Sequence, residues 1–111
     1  MVTASFFVDD GFFFSFKIFG HAGHGSSGND IVCAAISSAV DMTIESIKNN
    51  FPENYILDIN FEEAVVCLKV KNKDNVFSSM FIESLFFHLK NISKEYKNHL
   101  KVFMKTQSIG Q

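Results

Sequence analysis

Apolar and polar positions alternate from the first residues onward. Residues 2–8 form an apolar, β-prone run, Asp9-Asp10-Gly11 interrupts it, and residues 12–19 form a second run. Two such runs joined by an Asp-Gly pair predict a hairpin with a tight turn. In its second strand Phe12, Phe14, Phe16 and Ile18 share one face and Phe13, Ser15, Lys17 and Phe19 the other, and the even-numbered face is expected to point to the core. Residues 20–29 break the alternation with glycine at 20, 23, 25 and 28, which predicts a mobile loop rather than a regular element. From Asp30 the period lengthens: Val32, Ile36, Ala39 or Val40, Thr43 and Ile47 recur at helical spacing. This helix should stop at Asn49-Asn50, ahead of Phe51-Pro52, with Ser27, Asn29 or Asp30 as its cap.

The second half repeats the scheme. Residues 55–59 and 64–71 read as another hairpin, with Ala64, Val66, Leu68 and Val70 on one side and Val65, Cys67 and Lys69 on the other. Phe77, Phe81, Leu85, His88 or Leu89, and Ile92 trace a second helix over residues 74–98, and residues 100–105 close with a strand. The order strand-strand-helix-strand-strand-helix-strand predicts an α+β fold, a mainly antiparallel sheet with two helices packed on one face.

Composition narrows the function classes. The chain has 111 residues and fourteen phenylalanines, enough apolar volume for one core, and residues 1–111 are read as a single domain. Part of this Phe is expected at the surface, where it would serve self-association or an apolar peptide; genomic base composition explains the excess equally well. Ten lysines, no arginine and a net charge of −2 give no consecutive basic stripe, so direct nucleic-acid binding is not expected. No apolar run approaches the roughly 20 residues that span a bilayer, and no secretory leader is legible, so the expected location is cytoplasmic, with no membrane partner. The two cysteines then read as reduced thiols.

The chemistry concentrates in GHAGHGSSGNDIVCAAIS, residues 20–37. His21 directly follows a strand, Cys33 is expected in the first turn of a helix, and glycine-rich backbone separates them. A thiolate, not a thiol, is the nucleophile, and its formation is favoured at a helix N-terminus and beside an imidazole. His21 is the candidate base, returning the proton to a leaving amine, and backbone N–H groups at the helix start, that of Cys33 included, are candidate oxyanion donors. The structural alternative is that Cys33 is a small core residue beside Ala34 and Ala35. His24 is a rival base. A zinc site built from His21, His24 and Cys33, with or without Asp30, has acceptable ligand types but the spacing of no compact zinc motif, so no metal or cofactor is expected. Cys67 and His88 are assigned to structure, His88 as a hydrogen-bonded core histidine, and His99 to the surface.

The same stretch resembles the signature of the ribosomal-processing cysteine protease family (Prp), in which Gly-His-Ala ends the second strand and Asp-Ile-Val-Cys-Ala opens the helix. Gly20-His21-Ala22 and Asp30-Ile31-Val32-Cys33-Ala34 match without substitution. The resemblance implies a homodimeric cysteine-type peptidase that removes the N-terminal extension of large-subunit ribosomal protein twenty-seven. It implies a Cys33-His21 dyad, an apolar target with a Phe-Phe-Ala type core, and an aromatic-lined groove to hold it. Asp30 and Ser37 also match family positions: Asp30 either orients His21 or caps the helix, the cap being favoured, and Ser37 lies one turn beyond Cys33. Gly20 and Ala22 are counted as supporting or substrate-binding positions. The glycine loop, running from base to nucleophile, is expected to close over a bound peptide. The competing reading is a non-catalytic ribosome-associated module that holds a peptide with the same loop.

Overall fold

The computed structural model describes residues 1–20 and 29–110, with Asn29 and Asp30 described in their backbone only. Seven elements follow in the expected order: β1 (Val2–Asp9), β2 (Phe12–Gly20), α1 (Asn29–Asn50), β3 (Tyr55–Asn60), β4 (Val65–Val70), α2 (Val76–Glu95) and β5 (Leu100–Thr106). The strands form one sheet in the order β3-β4-β2-β1-β5. The β1–β2, β2–β4 and β3–β4 pairs are antiparallel, while β5 runs parallel to β1. The sheet is therefore mixed. The parallel pair arises because α2 carries the chain back to the start of β1, where the Val2 N–H donates to the His99 carbonyl at 2.9 Å.

The first hairpin turns as its sequence predicts. Asp10 and Gly11 have φ of 47° and 82°, the double left-handed geometry of a type I′ turn, for which Asp-Gly is among the favoured pairs.

One face of the sheet carries the core. Val2, Ala4, Phe6 and Val8 of β1, Phe16 and Ile18 of β2, and Leu68 and Val70 of β4 are buried on it. Both helices cover this side. Val32, Ile36, Val40, Ile44 and Ile47 of α1 join the cluster with Ile82, Leu85, Phe86 and Leu89 of α2. The Phe86 ring lies 5.3 Å from Phe6 and 5.5 Å from Phe13, centroid to centroid.

The simple alternation fails at Phe13. The register pairs Phe7 with Ser15 but Val8 with Phe13, so Phe14 is the extra residue of a β-bulge. Past the bulge Phe13 shares the Val8 face and is buried against α2, and its N–H donates to Ser79 Oγ at 2.7 Å. The buried stripe of α2 also departs from the one read from its periodicity. Ser78, Ser79, Ile82, Leu85, Phe86 and Leu89 face inward, while Phe77, which the periodicity placed on that stripe, is exposed. Asn75 caps this helix by accepting the Phe77 N–H at 2.9 Å.

Candidate active site

Gly20 ends β2 with φ of 98°, and a Cβ built there would collide with the Met1 carbonyl oxygen. Only glycine combines that left-handed backbone with so close an approach. The glycine that opens the motif thus has a role in chain geometry, turning the strand end beside the N-terminus.

His21, Ala22 and His24, the cap candidate Ser27 and the expected mobile loop lie outside the described residues. The chain resumes as helix at Asn29, and Asp30 is also helical in its backbone. Cys33 is therefore the fifth residue of α1, one residue deeper than a start at Asp30 would place it. An α-helix starting at Asn29 directs the Cys33 N–H toward the Asn29 carbonyl. In such a helix the N–H groups without an intrahelical acceptor are those of the first turn, before Cys33.

The Cys33 thiol is free and half-buried, packed against the edge of the core cluster rather than sealed inside it. Ser37, four residues on and on the same flank of the helix, is exposed. The pair leaves a polar, partly accessible strip beside the first turns of α1.

A further concavity lies elsewhere. A groove of about 670 Å³ runs between α1 and α2, bounded by Ala35, Ala39, Met42, Phe81, Leu85 and His88. Cys33 and Ala35 are roughly 160° apart around the helix axis, so this groove occupies the flank of α1 away from the thiol. His88 is exposed on its rim, which overturns its assignment as a core histidine: the inward stripe passes through Leu85 and Leu89 instead. His99 is half-buried, its ring 6.4 Å from Tyr96.

Cys67, the second free thiol, sits in mid-β4 opposite Lys17 and Asp58. It lies on the face of the sheet away from the helices. Burial pushes its thiol up, with Lys17 opposing and Asp58 adding to the shift. Among the described residues no three His, Cys, Asp or Glu side chains come together as a metal site. No described helix is long and apolar enough to cross a membrane.

The model of one family, described as cysteine protease Prp, matches residues 1–101. The chain belongs to this family. As a Prp-family protein it is a cysteine-type peptidase of the ribosomal-processing class. It is 27% identical over 88 residues to the ribosomal processing cysteine protease Prp of Staphylococcus aureus, in strains Mu50 and NCTC 8325 alike, an alignment covering 78% of this chain and 81% of the relative. Its fold matches the crystal structure of the S. aureus essential ribosomal processing protease Prp with a substrate peptide, at a TM-score of 0.85 and 23% identity over 95% of this chain and 100% of the other. The S. aureus complex with a covalently linked product peptide gives 0.84 at 24% identity, again over 95% and 100%. SMU.848 of Streptococcus mutans gives 0.83 at 22%, over 96% of both chains.

Proposed function

We propose that this Prp-family peptidase removes a short N-terminal extension from large-subunit ribosomal protein twenty-seven, in the cytoplasm and as a homodimer, through a Cys33-His21 dyad. Cys33 attacks the scissile carbonyl carbon as thiolate, its proton passing to His21. The carbon–nitrogen bond breaks, His21 returns that proton to the departing amine, and the extension remains on Cys33 as a thioester. Water, deprotonated by His21, then releases the extension as a carboxylic acid and restores the thiol. First-turn N–H groups of α1 supply the oxyanion contacts. Asp30 and Ser37 support the site, and the substrate is an apolar segment of Phe-Phe-Ala type.

The observation that carries this reading is the position of Cys33: a free, partly accessible thiol five residues into the long helix that follows the Gly-His-Ala segment. The test is to incubate the protein with the precursor ribosomal protein and weigh the products. Cleavage at a single bond near the precursor's N-terminus is expected with wild type and with Cys67→Ala, and none with Cys33→Ala. An active Cys33→Ala protein would end the proposal.

A further inference from the structure

The open face of the sheet gathers side chains that are scattered in the sequence. Strand pairing sets Thr3, Ser5 and Phe7 of β1 between Lys17 and Phe19 of β2 and Lys101, Phe103 and Lys105 of β5, with Lys69 and Cys67 of β4 beyond. A shallow concavity of about 410 Å³ is bounded by Ser5, Phe7, Lys17, Phe19, Phe103 and Lys105. Phe19, near the end of the central strand β2, and Phe103, on the edge strand β5, are 38% and 47% exposed. Lys17 Nζ stands 5.4 Å from the Phe19 ring centre and Lys105 Nζ 6.0 Å from that of Phe7.

The charge on this face opposes that of the chain. Lys17, Lys69, Lys101 and Lys105 lie on it against Asp58 and Asp9, and Asp9, at the far corner, is engaged by Lys73 at 3.4 Å and by the Ile109 N–H at 3.0 Å. A net −2 protein thus presents a positive sheet face. Two such faces would repel each other, which argues against a second copy seated here. A duplex meets the charge but hides its bases from the rings. A single strand meets both features, with phosphates for the ammonium groups and base planes for the phenyl rings.

We infer that the open sheet face binds single-stranded RNA, with phosphates on Lys17, Lys101 and Lys105 and bases stacked on Phe19 and Phe103. The choice of RNA rests on the ribosomal-precursor reading, because a ribosomal protein is met beside RNA. Nucleic-acid binding was not expected from the sequence because the lysines form no run, but the β1–β5 and β1–β2 pairings bring them onto one surface.

The test uses the full chain carrying Cys33→Ala, so that binding is read independently of proteolysis, and a fluorescein-labelled twelve-nucleotide single-stranded RNA followed by anisotropy. Affinity should fall with salt with a log–log slope of about −2 to −3, the release expected for three or four phosphate contacts. Adding Lys17→Glu and Lys105→Glu should weaken binding at least tenfold, with Lys17→Gln and Lys105→Gln giving a smaller loss in the same direction. Lys48→Glu and Lys94→Glu, in the helical layer, should not change it. Phe19→Ala and Phe103→Ala should each cost about fivefold or more without altering the slope. The inference is overturned by absent or salt-independent binding, by equal losses in the helical-layer controls, by equal affinity for duplex RNA, or by sedimentation showing that the Lys17 and Lys105 reversals disrupt a dimer. Binding that persists while wild type fails to cleave the precursor would sink the proposed protease substrate and leave the surface standing.

Discussion

Cys33 and Cys67 are both free and both half-buried, yet the fold gives them opposite surroundings. Cys33 stands on the helical layer, near the start of a long helix and close in sequence to the glycine-bounded segment that holds His21. Cys67 stands on the other side of the sheet, in mid-strand, where burial holds its thiol in the protonated form. The contrast teaches that exposure does not separate the two thiols; in the proposed dyad Cys33 is set apart by its place near a helix start and by His21 twelve residues before it in sequence.

The comparison breaks most visibly by exchanging each thiol. Cys33→Ala should reduce peptide hydrolysis by roughly 10³-fold or more, because the proposed acyl-enzyme forms on its sulfur, whereas Cys67→Ala should stay within about twofold; initial rates on a precursor peptide read both. Equal losses would remove the distinction. The turn that leads into the site is the next largest effect. Gly20→Ala places a methyl against the Met1 carbonyl at positive φ, and urea unfolding should show a loss of about 1–3 kcal/mol, while Gly110→Ala, with open space around it, should be silent.

A comparable loss of about 1–3 kcal/mol is expected from Ser79→Ala, which leaves the buried Phe13 N–H beside the bulge without its acceptor, and Ser79→Thr should recover part of it. The smallest effect concerns Asp9. Its carboxyl is held below the usual range first by the Ile109 N–H and then by Lys73, with desolvation opposing. A depressed carboxyl stabilises the fold above its unfolded value near 3.8 and loses that contribution as pH falls through the folded value. Protection of the Ile109 amide against exchange, taken relative to its intrinsic rate at each pH, should therefore fall selectively on strong acidification, and a tail equally protected at every pH would contradict the contact.

Much of this was legible in the chain because it is local. The Asp10-Gly11 turn, the inward Val66-Leu68-Val70 set and the Val32-Ile36-Val40 stripe follow from spacing alone. The exposed Phe61, Phe77, Phe87 and Phe103 bear out the expectation that aromatic residues would reach the surface. What escaped depends on partners distant in sequence. The bulge at Phe14 shows only when β1 is laid beside β2, and it redirects Phe13; the α2 stripe runs through Ile82 and Phe86, with His88 outside. The parallel β1–β5 pair, and with it the gathering of lysines, required knowing where α2 delivers the chain. At the candidate site Cys33 was readable from its motif, while its helical depth, and so the identity of the free N–H donors, depended on where the helix begins.

The central claim is that Cys33 is the activated thiol and His21 its base. The most direct measurement is the rate of iodoacetamide labelling at each cysteine, mapped by mass spectrometry between mildly acidic and alkaline pH. Cys33 should label faster than free cysteine at mildly acidic pH and lose that advantage in His21→Ala, with Cys67 reacting only at more alkaline pH than an ordinary thiol. Labelling of the two cysteines at equal rates, or a Cys33 profile unchanged by His21→Ala, would contradict the account.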